Sequence, residues 1–340
     1  MRRATKNMEF APRRRRGTKA QKRLSLTPFL PLPLLVFCAF CVFVVMASGA
    51  IAGEINEKAG TTGFPFLKLV SGARATAMGG AFVAMDGDVN GMASNPASLA
   101  SVGARQGTAT YTNYLVDTQF GMVGAAQPLS EGRAFGAMLS YMSYGELQKT
   151  NEDGLSEGTF GANDIVLQGA LAQAVLQSLD IGIGVKVAVS SIDDYASDAY
   201  MLDLGLRFRT PVEGLSLGAS LSNVGFVRSG FSEEFKDALP VAARVGFAHQ
   251  VAHLPLLFVG EMVLPNDNDV YFCGGTEICI RDILFLRGGY NSLLKDLNED
   301  DWAGVALGCG FRWTRYRLDY AYNFFAELGE AHRVSVVGTF

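Results

Sequence analysis

The sequence predicts an all-β fold: a transmembrane antiparallel β-barrel of about fourteen strands, with an N-terminal plug-like segment containing short helices. Three observations predict it. The chain opens on a basic leader followed by an apolar run, it continues in segments that alternate apolar with small or charged residues, and it ends on an aromatic residue, Phe340.

The leader separates from the rest by charge. Residues 1–52 hold ten of the 29 lysines and arginines (Arg2, Arg3, Lys6, Arg13, Arg14, Arg15, Arg16, Lys19, Lys22 and Arg23) and one acid, Glu9, so 19 basic and 32 acidic residues follow. An apolar run from Phe29 to Met46 leads into small residues ending Ala50-Ile51-Ala52. That order of basic, apolar and small residues is the layout of a secretory signal peptide, with cleavage expected near Ala52. A retained signal anchor is the competing reading, because the run approaches the roughly 20 residues that cross a bilayer. Pro31 and Pro33 shorten it, and the small-residue site directly behind it favours cleavage. In front of such a core the arginines read as translocation charge, so no nucleic-acid partner is expected.

Residues 53–105 form the expected plug-like segment, rich in small residues and short helical stretches. Gly and Ala allow close backbone packing, as a segment threaded through a narrow lumen requires. The plug or gate candidates are Arg74, Met78, Gly79, Gly80, Phe82, Asn95 and Pro96. Arg74, amid Gly and Ala, is either a solvated helix arginine or, if enclosed, a charge that must find carboxylates or carbonyls. Asn95-Pro96 reads as a helix start, since Asn caps and Pro suits the first helical position; Ser94 is the other cap candidate. Asp86 and Asp88 read as polar turn residues, because one acidic pair lacks the spaced oxygens of a calcium site.

From residue 106 to 340 the pattern is period two, the mark of β-strands. In Ile181 to Val189 the odd positions are β-branched and the even ones small or charged. Leu202, Leu204, Leu206 and Phe208 oppose Asp203, Gly205, Arg207 and Arg209, while Leu215, Leu217, Ala219 and Leu221 oppose serines and Gly218. Tyr316, Leu318, Tyr320, Tyr322 and Phe324 form an almost wholly aromatic face suited to a lipid interface. Fourteen such segments are expected, at 107–115, 118–128, 133–145, 163–175, 178–191, 198–209, 214–224, 240–252, 255–264, 269–280, 283–291, 301–312, 314–325 and 331–340. A soluble sandwich also alternates. Charges recurring inside strands, 39 glycines and the absence of covering helices favour a barrel whose outer face meets lipid. The longest connections, 146–162 and 225–239, are modest.

The last strand places His332, Val334, Val336, Gly338 and Phe340 on one face. A terminal aromatic there reads as an assembly signal, so the expected partners are outer-membrane lipid and the barrel-assembly machinery, acting through Phe340. Cys273 and Cys279 lie roughly 20 Å apart on a straight strand at about 3.3 Å per residue, too far for a disulfide. The state of these cysteines and of Cys309 is left open, and no cofactor or metal is expected, since three histidines and no CxxC pair give no ligand spacing. No histidine sits in a motif that sets a nucleophile and a carboxylate around it, which argues against an enzyme, including a lipid hydrolase.

Gly72-Ala73-Arg74 through Met78-Gly79-Gly80-Ala81-Phe82-Val83-Ala84, followed by Asn95-Pro96-Ala97, resembles the N-terminal signature of the PorV/PorQ-like family. Asn223-Val224-Gly225, Arg287-Gly288-Gly289-Tyr290, and Asp319-Tyr320-Ala321-Tyr322 through Leu328-Gly329 and His332-Arg333 to Phe340 extend the resemblance over nearly all of the exported chain. The long arginine-rich leader and the cysteines depart from it. The resemblance implies a FadL-like fourteen-stranded barrel with its N-terminal segment inside. It also implies either a component of type IX secretion or a barrel of unassigned role. The expected function is therefore support of transport or protein secretion across the bacterial outer membrane, with secretion-system components as partners. The alternative is a FadL-like channel for a hydrophobic small molecule, gated by residues 64–100. In the secretion reading, Gly145 to Gly161 and Phe226 to Ala238, the latter punctuated by Phe226, Phe231 and Phe235, are the contact surfaces.

Overall fold

A computed structural model describes residues 56–116, 118–294 and 302–340; the leader and its cleavage site lie outside the described residues. Period-two alternation gives fourteen strands: β1 (Gln106–Asn113), β2 (Gln119–Ser130), β3 (Arg133–Thr150), β4 (Ser156–Leu176), β5 (Leu179–Ile192), β6 (Tyr195–Arg209), β7 (Leu215–Ser229), β8 (Ala242–Gln250), β9 (Leu256–Pro265), β10 (Tyr271–Ile280), β11 (Leu284–Asn291), β12 (Val305–Trp313), β13 (Tyr316–Phe324) and β14 (Glu330–Thr339). Each strand pairs antiparallel with its sequence neighbours, and β1 closes on β14 from Gln106↔Thr339 to Asn113↔His332. Closure removes every sheet edge within the barrel, which a sheet in hydrocarbon must do because lipid offers no hydrogen-bond partner.

Burial is inverted relative to a soluble domain. Ile183 and Val185 on β5 and Leu204 and Leu206 on β6 are about half exposed, while Asp180, Asp203 and Arg207 between them are buried. An outward apolar band with inward charge is the arrangement that a bilayer stabilises. The aromatic row of β13 also faces out, and Phe340 packs edge-on against Tyr316 with ring centroids 6.1 Å apart. Cys273, Cys279 and Cys309 are free thiols.

Turns of two to five residues (131–132, 177–178, 210–214, 251–255, 281–283, 314–315) lie at the end where Gln106 and Thr339 meet. Long connections such as 230–241 lie at the other end. Outer-membrane barrels keep short turns in the periplasm, so the long connections are extracellular.

The structure corrects the sequence reading at two of those connections. Residues 146–162 are not a loop: β3 and β4 stay paired from Glu146↔Gly161 to Thr150↔Ser156, beyond the last partners of β2 at Ser143 and of β5 at Ala162. They form a two-stranded ribbon above the barrel, because Thr159, Phe160 and Leu147 continue the strand pattern past the wall. In the second connection, Phe226 belongs to β7 and stacks on Tyr200 of the outer wall at 6.0 Å. Of the three expected aromatics only Phe235 is an exposed loop residue.

β7 carries one irregularity with structural consequences. The register with β6 shifts between Leu202↔Val224 and Leu204↔Leu221, and Asn223 adopts a left-handed φ of 62°. Asn tolerates this conformation better than most residues. The bulge turns the Asn223 amide inward, where it accepts from Lys186 Nζ at 2.9 Å and donates to the Pro240 carbonyl at 3.0 Å.

Candidate functional site

The lumen is occupied by the N-terminal segment. It starts at the extracellular mouth, where Gly63 N donates to Ala238 O at 3.0 Å, and descends through helix α1 (Ala73–Ala77) and short 3-10 turns at Pro65–Lys68, Val89–Ala93 and Pro96–Ser101. It joins β1 at the periplasmic end. Helix α1 packs on β11 to β14, and Pro96–Ser101 packs on β3 to β6.

Local sequence sets these turns. Pro65 and Pro96 occupy first-turn positions, where a missing N–H costs nothing. Asn95 rather than Ser94 caps the last turn, its Oδ1 accepting from Ala97 N at 3.0 Å. Its Nδ2 donates to Val83 O at 2.7 Å and Leu206 O at 2.9 Å, joining two stretches of the segment to the β6 wall. Gly79 follows α1 with φ of 69° and lies so close to the Tyr290 backbone that a Cβ would overlap it. Across the lumen, a Cβ on Gly205 would overlap the Asn95 side-chain oxygen and the Pro96 ring, so glycine there lets both pack against β6. Met78 and Phe82 are buried, and Glu261 of β9 accepts from both Phe82 N (2.8 Å) and Val83 N (2.9 Å).

Arg74 stands in a closed ring of six alternating charges. Its guanidinium grips Glu277 of β10 through Nε at 2.8 Å and Nη2 at 2.7 Å. Glu277 holds Arg287 of β11 at 2.6 Å, Arg287 holds Asp319 of β13 at 2.7 Å, and Asp319 holds Arg317 at 2.6 Å. Arg317 then holds Asp88 at 2.6 Å, and Asp88 returns to Arg74 at 3.4 Å. Three arginines and three carboxylates make the ring neutral. The segment supplies two members and the wall four, so the ring fastens one to the other.

Further pairs line the lumen. Arg207 bonds Asp86, Asp180 (3.1 Å) and the Ala84 carbonyl (3.3 Å); Lys186 pairs with Asp203 at 2.7 Å; Arg244 pairs with Glu261 at 2.8 Å. Asp86 and Asp88, read from sequence as turn residues, are both ion-paired. At the mouth, Asp267 accepts from Thr62 and Lys68, while Asn56 donates to Asp269 at 2.8 Å. Burial alone would raise the Asp267 carboxyl, but the Lys68 and Thr62 hydrogen bonds and the Lys68 charge hold it below the usual carboxylate range.

The structure thus brings Arg74, Met78, Gly79, Gly80, Phe82, Asn95 and Pro96 into the lumen, with Asn95 bonded directly to the Val83 carbonyl and Phe82 and Val83 sharing the Glu261 carboxylate. Phe340 lies apart on the outer wall. Sequence reasoning missed Glu261, Glu277, Arg287 and Arg317. Their signal was a charge at a lumen-facing position of a strand, which shows facing but not partner.

Residues 52–192 match the family model described as type IX secretion system protein PorV. No curated protein matches the chain. Among solved structures, the chain is similar to the toluene transporter TodX of Pseudomonas putida, at 14% identity and TM-score 0.54 over 77% of this chain and 95% of that one. A Pseudomonas aeruginosa FadL homologue gives 13% identity and TM-score 0.54 over 80% and 99%. The CymD monoaromatic hydrocarbon channel gives 12% and 0.57 over 79% and 97%. At these identities the likeness is one of fold.

Proposed function

Starting from a chain that is a PorV-like outer-membrane β-barrel of FadL-like architecture, we propose that it supports protein secretion across the outer membrane as a barrel with a fixed plug. One observation carries the reading: the N-terminal segment is fastened to the wall from the mouth to the periplasmic end by the neutral charge ring, by Glu261 and by Asn95. A solute path would have to separate several buried ion pairs at once. The working surfaces are then the extracellular ones, above all the β3–β4 ribbon, with secretion-system components as partners. Residues 56–105 serve as plug, not gate, and Arg74, Met78, Gly79, Gly80, Phe82, Asn95 and Pro96 are its fastening points.

Export by a signal peptide cleaved near Ala52, and insertion by the assembly machinery acting on the strand that ends in Phe340, complete the proposal. A FadL-like channel for hydrophobic small molecules is the other reading, and the likeness in fold to TodX and CymD fits it equally. The test compares a deletion strain with its parent. Retention of secreted proteins in the periplasm, restored by the full chain, together with no hydrocarbon uptake by proteoliposomes, is the expected result. Unchanged export with saturable uptake that rises when residues 64–84 are removed sinks the secretion reading.

A further inference from the structure

Toward the extracellular mouth, between the N-terminal segment and β1, β8, β10, β11, β13 and β14, lies a cavity of about 230 Å³. Arg333 of β14 lines it and is 4% exposed. Its Nε donates to Thr112 Oγ1 at 2.7 Å, and its Nη1 to the Val70 carbonyl at 2.5 Å and to Thr76 Oγ1. Among the described residues no carboxylate pairs with it, and its Nη2 has no hydrogen-bond partner there. Arg74, Arg207, Arg244, Arg287 and Arg317 each hold a carboxylate. Among the described residues, Arg333 is therefore a lumenal arginine left without one.

The rest of the lining keeps the same sign. Lys68 and Arg244 also face the cavity, and their counter-ions, Asp267 and Glu261, do not line it. A buried cation without an anion is costly, and the guanidinium fork matches a carboxylate. The other walls are neutral, polar at Tyr271, Asn291 and Asn323 and apolar at Pro65, Leu69 and Phe325. At about 30 Å³ per water the space holds roughly eight waters, enough for a compact organic anion and too little for a long acyl chain.

We propose that this cavity binds a compact monocarboxylate, whose carboxylate takes Arg333 as counter-ion and whose short apolar body lies against Leu69 and Phe325. The assignment does not depend on the secretion reading, since a fixed plug and a gated one both contain the cavity. Charge discrimination follows from a buried charge-assisted hydrogen bond, which favours the anion over a neutral isostere by about tenfold to a hundredfold.

Calorimetric titration of the purified full chain in detergent at pH 7 tests it, with sodium hexanoate as probe and 1-hexanol and palmitate as comparisons. Saturable hexanoate binding at least tenfold tighter than hexanol, abolished in R333Q, is the expected result. Because Arg333 also tethers Val70 and Thr76, a second variant, A331L, fills the cavity from the wall while keeping the arginine, and it too is expected to lose hexanoate. Equal binding of hexanoate and hexanol, no hexanoate binding, or undiminished binding in both variants overturns the proposal. Palmitate or a peptide α-carboxylate binding more tightly than hexanoate overturns the compact-ligand assignment.

Discussion

Arg74→Met opens the six-membered charge ring and leaves it one negative charge in excess. Glu277 keeps Arg287 at 2.6 Å and Asp88 keeps Arg317 at 2.6 Å, so neither carboxylate is stranded. Removing one partner of a buried pair costs about 3–5 kcal/mol, and the surviving partners place this substitution near the lower end, at about 3 kcal/mol. Glu277→Gln leaves one positive charge in excess and is expected to cost a similar amount. The double variant is neutral again, with two arginines facing two carboxylates. Its cost is therefore expected near about 3 kcal/mol and not the sum of about 6, a coupling on the order of 3 kcal/mol. Native-state hydrogen exchange of the α1 amides in detergent reads this directly, because about 3 kcal/mol multiplies the opening constant by roughly 150. Additive single variants would refute the ring as an energetic unit. So would exchange changes spread evenly over the strands, because the ring's effect belongs to the docking of the segment.

Two further perturbations probe the fastening of the segment. The Asp267 carboxyl is held below its ordinary value, so its contribution is present above the unfolded value of about 4 and is lost as pH falls through the lower folded value. Protection factors of residues 58–68, with the intrinsic pH dependence of exchange divided out, should therefore stay constant from pH 8 down to about 4 and fall only below it, while D267N exposes Lys68 to trypsin at neutral pH; a change in protection centred near pH 6 contradicts the assignment. Asn95→Ala removes one cap bond and two buried donated bonds, an expected loss of about 3 kcal/mol, read as a lowered urea midpoint of the folded gel band. Asn95→Asp keeps the cap acceptor but turns an oxygen toward the Val83 and Leu206 carbonyls, so it should be no better than alanine, and a milder effect would contradict the contacts.

Most of the barrel was legible because its signal is local. In Ile181 to Val189 each side chain declares its face, and β5 runs where the alternation says it does. Boundaries failed where the alternation continues without a membrane to explain it. Residues 146–161 carry a weaker, more polar pattern, and only pairing between the two strands themselves makes them a ribbon. The site was half legible. Small residues around Arg74 signalled close packing, and the need of an enclosed charge for carboxylates was foreseeable, but the identity of Glu277 was not. Arg74 and Glu277 are 203 positions apart, and barrel register alone brings them together. Asn223 is a similar case: a bulge reverses inside and outside, and no period-two count anticipates where one falls.

The lumenal charges also divide by height. Below, the ring binds three cations to three anions, and every one of its carboxylates touches two arginines. Above, Lys68, Arg244 and Arg333 face one cavity; Asp267 and Glu261 match the first two, and no carboxylate among the described residues matches Arg333. A segment held only for strength would gain from balance at both levels, since an unmatched buried charge weakens the fold it sits in. Arg333 could satisfy the same Val70 carbonyl and Thr76 hydroxyl as a neutral glutamine at far lower desolvation cost. If R333Q proves as stable as the parent or more so, the arginine is not there for stability, and a charged occupant of the cavity is the remaining reason for it. If R333Q is instead much less stable, the tether explains the residue by itself, and the ligand titration has to stand on the A331L comparison.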